Sequence, residues 1–475
     1  MRPEKSSANR PKPEQKGRKR MKTIVLLGAG SASFALALVK DILLSKGLEG
    51  ATLRLVDIDS RRLEEARAMV EAYKREVEAD LGVESYTDRR PALEGADYVI
   101  CAVKIGGYIP LENERKIAEA HGYYRGIGDR VSCYYGGVGA FWQLRFLEEL
   151  ARDMEELCPG ALLIQTANPV FEGTNYLTKY TKVKAVGVCH GHFGYRWVAE
   201  ILGLDPAKTT AEVIGFNHCT YLTDFRYEGK DAYPLLDRWI EEKAEAYWKS
   251  DAYLNPGFLG FSPDVLSPGA VDAYRHYGLL PIGDAIRSVS PWWHHTDLEA
   301  KKKWYGTGGG FDSAECWANY LADKDVQHEN LRRSMETGEP ISKIYPLVHS
   351  GEQHIQIIEA METDTYTRLT LNIPNNGCID GLPDDALVEI PAMISARGIQ
   401  GIRMSPLPSR LMNNVMLPRL CRANNILDAY RTGSRDLLVV ELMNDHRTRS
   451  YEQARELIDD LLRQDWNKEA DAHYR

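Results

Sequence analysis

Residues 22–44 constrain the fold more than any other stretch. After Lys22 the chain reads Thr-Ile-Val-Leu-Leu-Gly-Ala-Gly-Ser-Ala-Ser, and from Phe34 to Leu44 it continues with helical spacing. An apolar strand, a tight glycine turn and a helix open a βαβ unit. Gly28 permits the turn, and Gly30 lets backbone approach a pyrophosphate, whose charge would sit on amides at the helix N-terminus beside Ser31. Ser33 takes the third glycine position of GxGxxG. A second strand, 52–56, ends at Asp57, where a carboxylate can accept from a ribose hydroxyl, and an acid there favours NAD over NADP. The spacing from Gly30 exceeds the usual twenty or so residues, and the turn around Gly47 and Gly50 accommodates the excess. Strands are predicted at 96–102 and 161–166, with helices at 61–78 and 141–157 between them. This alternation predicts a Rossmann-type, doubly wound parallel α/β sheet. Such sheets bind at their carboxyl ends, which puts the segment from Val103 to Tyr108 on the ligand side.

The 475 residues leave room beyond such a unit for a second domain. Hydrophobic residues make up 44% and charged residues 27%, the mixture of a soluble globular chain. No uninterrupted apolar stretch reaches the roughly 18 residues of a membrane-spanning helix. Asp and Glu outnumber Lys and Arg by 68 to 59, for a net charge of −9, which argues against nucleic acid and anionic lipid as partners. Residues 1–20 differ: eight Lys and Arg against two Glu give +6 with no apolar core, the composition of a disordered basic tail rather than a secretory signal. Eight cysteines without a CxxC pair fit a reducing cytoplasm.

After the fourth strand comes Asn168-Pro169. After a short strand at 185–188 comes Cys189-His190-Gly191-His192, and the segment 213–218 delivers His218. Cys and His can hold a divalent transition metal, but two ligands need substrate and water oxygens to complete the shell. Each also has a structural reading, Cys189 as a small core hydrophobe and His218 as a hydrogen-bonded core residue. Beyond Trp239 amphipathic helices alternate with aromatic-rich loops. Asp284, Arg287 and the run Trp292-Trp293-His294-His295 lie in a segment whose mixture suits polyol recognition or a structural cluster. A strand pair is predicted at 367–373 and 386–390, and a last amphipathic helix at 451–464. The predicted division is a dinucleotide domain over 21–190 and a packed α+β domain over 191–475 for substrate, metal and oligomerisation.

Taken in order, these stations resemble glycoside hydrolase family 4, the NAD-dependent and usually manganese-dependent glycosidases. The resemblance rests on Gly28-Ala29-Gly30-Ser31, Gly122-Tyr123-Tyr124-Arg125-Gly126-Ile127, the run 166–173 around Asn168-Pro169, Cys189-His190-Gly191-His192 and Asn217-His218. It continues through 231–237, Pro281-Ile282-Gly283-Asp284, 301–306 and Ser350-Gly351-Glu352-Gln353-His354. It implies NAD and Mn2+, or another divalent metal, as cofactors, with Cys189 and His218 as metal ligands, Asn168 as a contact to sugar hydroxyls and Asp284 as the base. In the implied mechanism NAD takes hydride from C3, the resulting ketone acidifies C2, and the metal stabilises the enediolate as Asp284 removes the C2 proton. The C1 substituent then leaves, water adds, and NADH returns its hydride. The family is a known exception to two-carboxylate glycosidase chemistry.

Members acting on sugar 6-phosphates carry Asn or Asp directly after the metal Cys, where this chain has His190. The resemblance therefore implies a non-phosphorylated small-molecule α-glycoside of glucoside or galactoside type, handled by a homo-dimer or tetramer. The loop 128–137 departs from that branch, and its Arg130 suits bidentate recognition of a uronate carboxylate. An α-glucuronidase or α-galacturonidase is thus the alternative within the family. Outside it stand a 2-hydroxy-acid dehydrogenase, in which Cys189 and His218 have no duty, and a non-catalytic NAD-responsive binding protein.

Overall fold

The computed structural model describes residues 21–125, 135–255, 257, 259–337 and 340–475; the basic segment 1–20 and Arg130 lie outside them. Among the described residues thirteen strands form one sheet: β1 (Thr23–Leu27), β2 (Thr52–Val56), β3 (Gly82–Tyr86), β4 (Tyr98–Cys101), β5 (Leu162–Gln165), β6 (Lys184–Gly187), β7 (Thr209–Phe216), β8 (Cys219–Tyr227), β9 (Lys230–Asp231), β10 (Leu280–Ile282), β11 (Thr367–Pro374), β12 (Leu387–Ser395) and β13 (Gly398–Gly401). The order 3-2-1-4-5-6 is wholly parallel and is the doubly wound arrangement. From β6 the sheet runs on antiparallel through β11, β12, β7, β8 and β10.

Strand β1 shows why an unbroken apolar run belongs here. Ile24 and Leu26 enter the core on one face of the sheet, while Val25 and Leu27 enter that on the other. Both faces are covered, so alternate positions are equally apolar. The predicted helix 141–157 is found as Phe141–Leu157, and the last amphipathic helix as Tyr451–Leu462, capped by the Ser450 hydroxyl accepting from the Gln453 amide. Ala454, Leu457, Ile458, Leu461 and Leu462 give that helix one apolar stripe. The stripe packs with Tyr123, Phe141 and Leu144, so the end of the chain folds back on the dinucleotide half.

A buried ion pair ties a helix of the parallel half to one of the C-terminal helices. Glu172, fully buried in the helix Val170–Tyr180, lies 2.6 Å from the guanidinium of Arg419, which stacks over Phe171 from the C-terminal helix Leu417–Thr432. Removing one partner of a buried pair strands the other, at a cost of about 3–5 kcal/mol. Arg419→Met therefore lowers the urea midpoint substantially, and a midpoint equal to that of the parent protein contradicts this account.

Candidate active site

At the end of β1, Gly28 takes φ +88° and packs on the backbone of Ala102 and Val103 just beyond β4. A Cβ at Gly30 would lie 2.6 Å from Asp57 Oδ2, the oxygen that accepts the Gly30 amide at 2.8 Å. The second Asp57 oxygen accepts from the Asp59 amide at 3.0 Å. Asp57 thus holds the glycine loop against the end of β2. The helix Ala32–Leu44 starts at Ser31 without a side-chain cap, and Ser33 lies in its first turn. Its terminal amides and dipole are the elements that bind a pyrophosphate. Tight glycine turn, uncapped helix and acidic strand end together fit a dinucleotide.

Four strand ends gather the remaining site residues. β5 and β6 are parallel neighbours, so Asn168, three residues past β5, and Cys189, two past β6, leave the same edge of the sheet. His218 is the second residue of the two-residue turn between β7 and β8, with φ +57°. That left-handed conformation is uncommon for a residue with a Cβ and concentrates at functional sites. It sets His218 Nε2 3.7 Å from Cys189 Sγ. Two donors on one ion at roughly 2.1 and 2.3 Å and near-tetrahedral angles stand ~3.6 Å apart, so the pair has the spacing of metal ligands. Burial, with the charge of Glu389 beside it, pushes the Cys189 thiol up, against hydrogen bonds from the Gly191 amide and Asn217. A bound cation supplies what such a thiol lacks, since a coordinating thiol is deprotonated outright. Among the described residues no third His, Cys, Asp or Glu completes a metal cluster. The buried Asn168 Oδ1 has no hydrogen-bond partner among them either, which leaves an acceptor for an added group.

Asp284 follows β10, which pairs with β8. Gly283, at φ +62°, lies so close to Gly191 that a Cβ would come within 2.7 Å of the Gly191 carbonyl oxygen. This approach brings Asp284 Oδ2 to 3.4 Å from His218 Nε2. Arg287 was expected at the substrate; the structure gives its guanidinium another occupation. The nitrogens bond Asp284 at 2.6 Å, Asp312 at 2.8 Å and, from Nε, Asp264. The buried fork fixes the Asp284 carboxylate. Neither Asp264 nor Asp312 stood out in the sequence, because a single Asp in a loop carries no periodic signal.

The His190 side chain is 73% exposed and pairs with Glu352 at 3.3 Å; that hydrogen bond raises the imidazole above its ordinary value. Burial works against the charge of Glu352, but His190 holds the carboxyl below the usual range. The aromatic cluster resolves into structure: His294 and His295 are buried, stacked on Trp304 and Tyr305. Trp292 stays 42% exposed and lines, with Ser290, Asn425, His446 and Arg447, a cavity of about 450 Å3 at the end of the short helix Ala285–Ser288.

The sequence model of family 4 glycosyl hydrolase matches residues 23–204, and that of the family's C-terminal domain matches residues 213–448. The chain belongs to glycosyl hydrolase family 4. This family 4 chain is 28% identical to an α-galactosidase of Bacillus subtilis over 82% of its own length and 85% of that protein. It is 25% identical to an α-galacturonidase of Thermoanaerobacterium saccharolyticum over 93% and 95% of the two chains. A 6-phospho-α-glucosidase from gut microorganisms, solved in complex with NAD and Mn2+, shares its fold with a TM-score of 0.74 at 17% identity, covering 96% of this chain and 99% of that one. Among the described residues no helix is long and apolar enough to cross a membrane.

Proposed function

We propose that this family 4 glycosidase hydrolyses non-phosphorylated α-glycosides of glucoside or galactoside type, with NAD and Mn2+ as cofactors. The observation that carries the reading is the trio Cys189, His218 and Asp284, with an Nε2 3.7 Å from a thiol sulfur and 3.4 Å from a carboxylate, at the sheet edge that also carries the glycine loop. Bound there, the cofactors supply reversible hydride transfer at C3 and Lewis-acid polarisation of the C2 and C3 oxygens. Cys189 and His218 hold the cation, and Gly28, Gly30, Ser31, Ser33, Asp57 and Val103 frame the dinucleotide. Asp284, steadied by Arg287, takes the C2 proton; Asn168 and His190 contact hydroxyls. A neutral sugar is supported at His190, which already faces the Glu352 carboxylate; the uronate alternative rests on Arg130, outside the described residues. Assays of nitrophenyl α- and β-hexosides and hexuronides with NAD, Mn2+ and a thiol reductant test this directly: α-hexosides turn over fastest without accumulating NADH, and a preference for hexuronides removes the neutral-sugar reading.

Asp57 sets the cofactor preference. A carboxylate accepts from a 2′-hydroxyl and repels a 2′-phosphate, so calorimetric titration gives tighter binding of NAD than of NADP. Asp57→Ser narrows the difference, by roughly 10-fold or more for loss of a charged hydrogen bond. Equal affinities in the parent protein would mean that Asp57 only braces the glycine loop.

A further inference from the structure

The two metal-ligand candidates come from strands that do not touch. β6 leads to Cys189 and β7 to His218, with β11 and β12 between them. At a strand spacing of about 4.8 Å, β6 and β7 stand roughly 14 Å apart, yet the ligand atoms approach to 3.7 Å. Something must hold the two strand ends in register. The backbone ladder contributes little at the junctions: β6 meets β11 at one residue pair, Gly187 with Asn372, and β7 meets β12 at one pair, Glu389 with Gly215.

Side chains reinforce those two points. Asn372 Nδ2 donates to the Gly187 carbonyl at 3.5 Å and to Glu389 Oε2 at 3.0 Å, and Asn217 Nδ2 donates to the same Oε2 at 3.0 Å. All three residues are buried, at 0, 1 and 2% exposure for Asn372, Glu389 and Asn217. A hydrogen-bonded chain thus runs from the strand before Cys189, through Asn372 and Glu389, to the residue before His218. Burial pushes the Glu389 carboxyl up to about 7 against the two amide donors. An acid in a strand interior is costly, which sets Glu389 apart from a residue that merely fills the core.

We propose that Glu389 is a positioning residue. With Asn372 and Asn217 it clamps β6 to the β7–β8 turn and fixes the separation of Cys189 and His218 for a divalent cation. The proposal rests on the reading of those two residues as metal ligands. Outer partners of this kind typically contribute 10–100-fold to metal affinity. Both donors fall on one carboxylate oxygen, so Glu389→Gln keeps an acceptor for both, whereas Glu389→Met removes it.

Mn2+ binding without substrate, followed by the electron paramagnetic resonance of free Mn2+, tests the clamp, with NAD affinity of each variant as the control. Glu389→Met weakens Mn2+ binding 10–100-fold and leaves NAD affinity within about twofold, while Glu389→Gln stays within about threefold of the parent. Should Glu389→Met not fold, Asn372→Leu breaks the same chain and is expected to give the same loss. Parent-like Mn2+ affinity in the Met or Leu variant overturns the clamp. So does equal loss in Gln and Met, which would assign the effect to charge, or a parallel fall in NAD affinity, which would mark general damage. If the parent protein itself binds no Mn2+, or Cys189→Ala binds it equally well, the metal assignment fails before the clamp is reached.

Discussion

Asp284→Ala lowers kcat on a nitrophenyl α-hexoside by roughly 10²–10⁴-fold, the range spanned by a positioned general base, and leaves NAD affinity unchanged. Asp284 touches His218 and is fixed by Arg287, and neither contact involves the glycine loop. Hydrolysis by the parent protein in heavy water places deuterium at C2 of the released sugar, because a proton removed to a carboxylate 26% exposed exchanges with solvent. A thioglycoside is cleaved as well, since elimination from a C3 ketone does not require strong protonation of the leaving atom. Two-carboxylate hydrolysis predicts neither result. Product free of C2 deuterium, from an enzyme indifferent to Asp284→Ala, would falsify the elimination mechanism while leaving the family membership intact.

Loss of the cation has an equally large expected effect. Chelation of the parent protein abolishes turnover, and Mn2+ restores it; Cys189→Ala stays inactive at any Mn2+ concentration that restores the parent. The half-buried thiol is raised by desolvation and by the charge of Glu389, which disfavours the thiolate. Alkylation by iodoacetamide is therefore slow, and added Mn2+ slows it further by occupying the sulfur. Full turnover of a metal-free Cys189→Ala preparation removes the metal from the proposed chemistry.

The parallel half of the fold was legible because its strands are apolar on both faces and alternate with helices of clear period, as β1 and the helix Phe141–Leu157 show. β3 escaped: it lies at the edge of the sheet, and Gly82-Val83-Glu84-Ser85-Tyr86 has no fully buried residue to mark it. The strand pair β11–β12 was legible as a pair, but its place between β6 and β7 was not, since nothing local in a hairpin names the strands it will join. In the candidate site, Cys189, His218 and Asp284 stood out as residue types at strand ends, and the structure brings them together. Arg287 was read as a substrate contact; its guanidinium bonds Asp284, three residues before it, and also Asp264 and Asp312, whose distance in sequence hid that fork. Glu389 passed unnoticed: an acid inside an apolar strand reads as a solvent-facing position until the neighbouring strands cover it.

The insertion of β11 and β12 between β6 and β7 also fixes when the site can exist during synthesis. Cys189 and His218 leave the ribosome long before residues 367–395, yet within the sheet the strands that carry them are joined through that later strand pair. A nascent chain ending before β12 already holds all six strands of the parallel half, while the ladder between β6 and β7 is still open. Closing that ladder is a late, non-local step of folding, of the kind that loop-closure entropy makes slow. The distance between Cys189 and His218 is therefore set by a pairing of strands made near the end of synthesis.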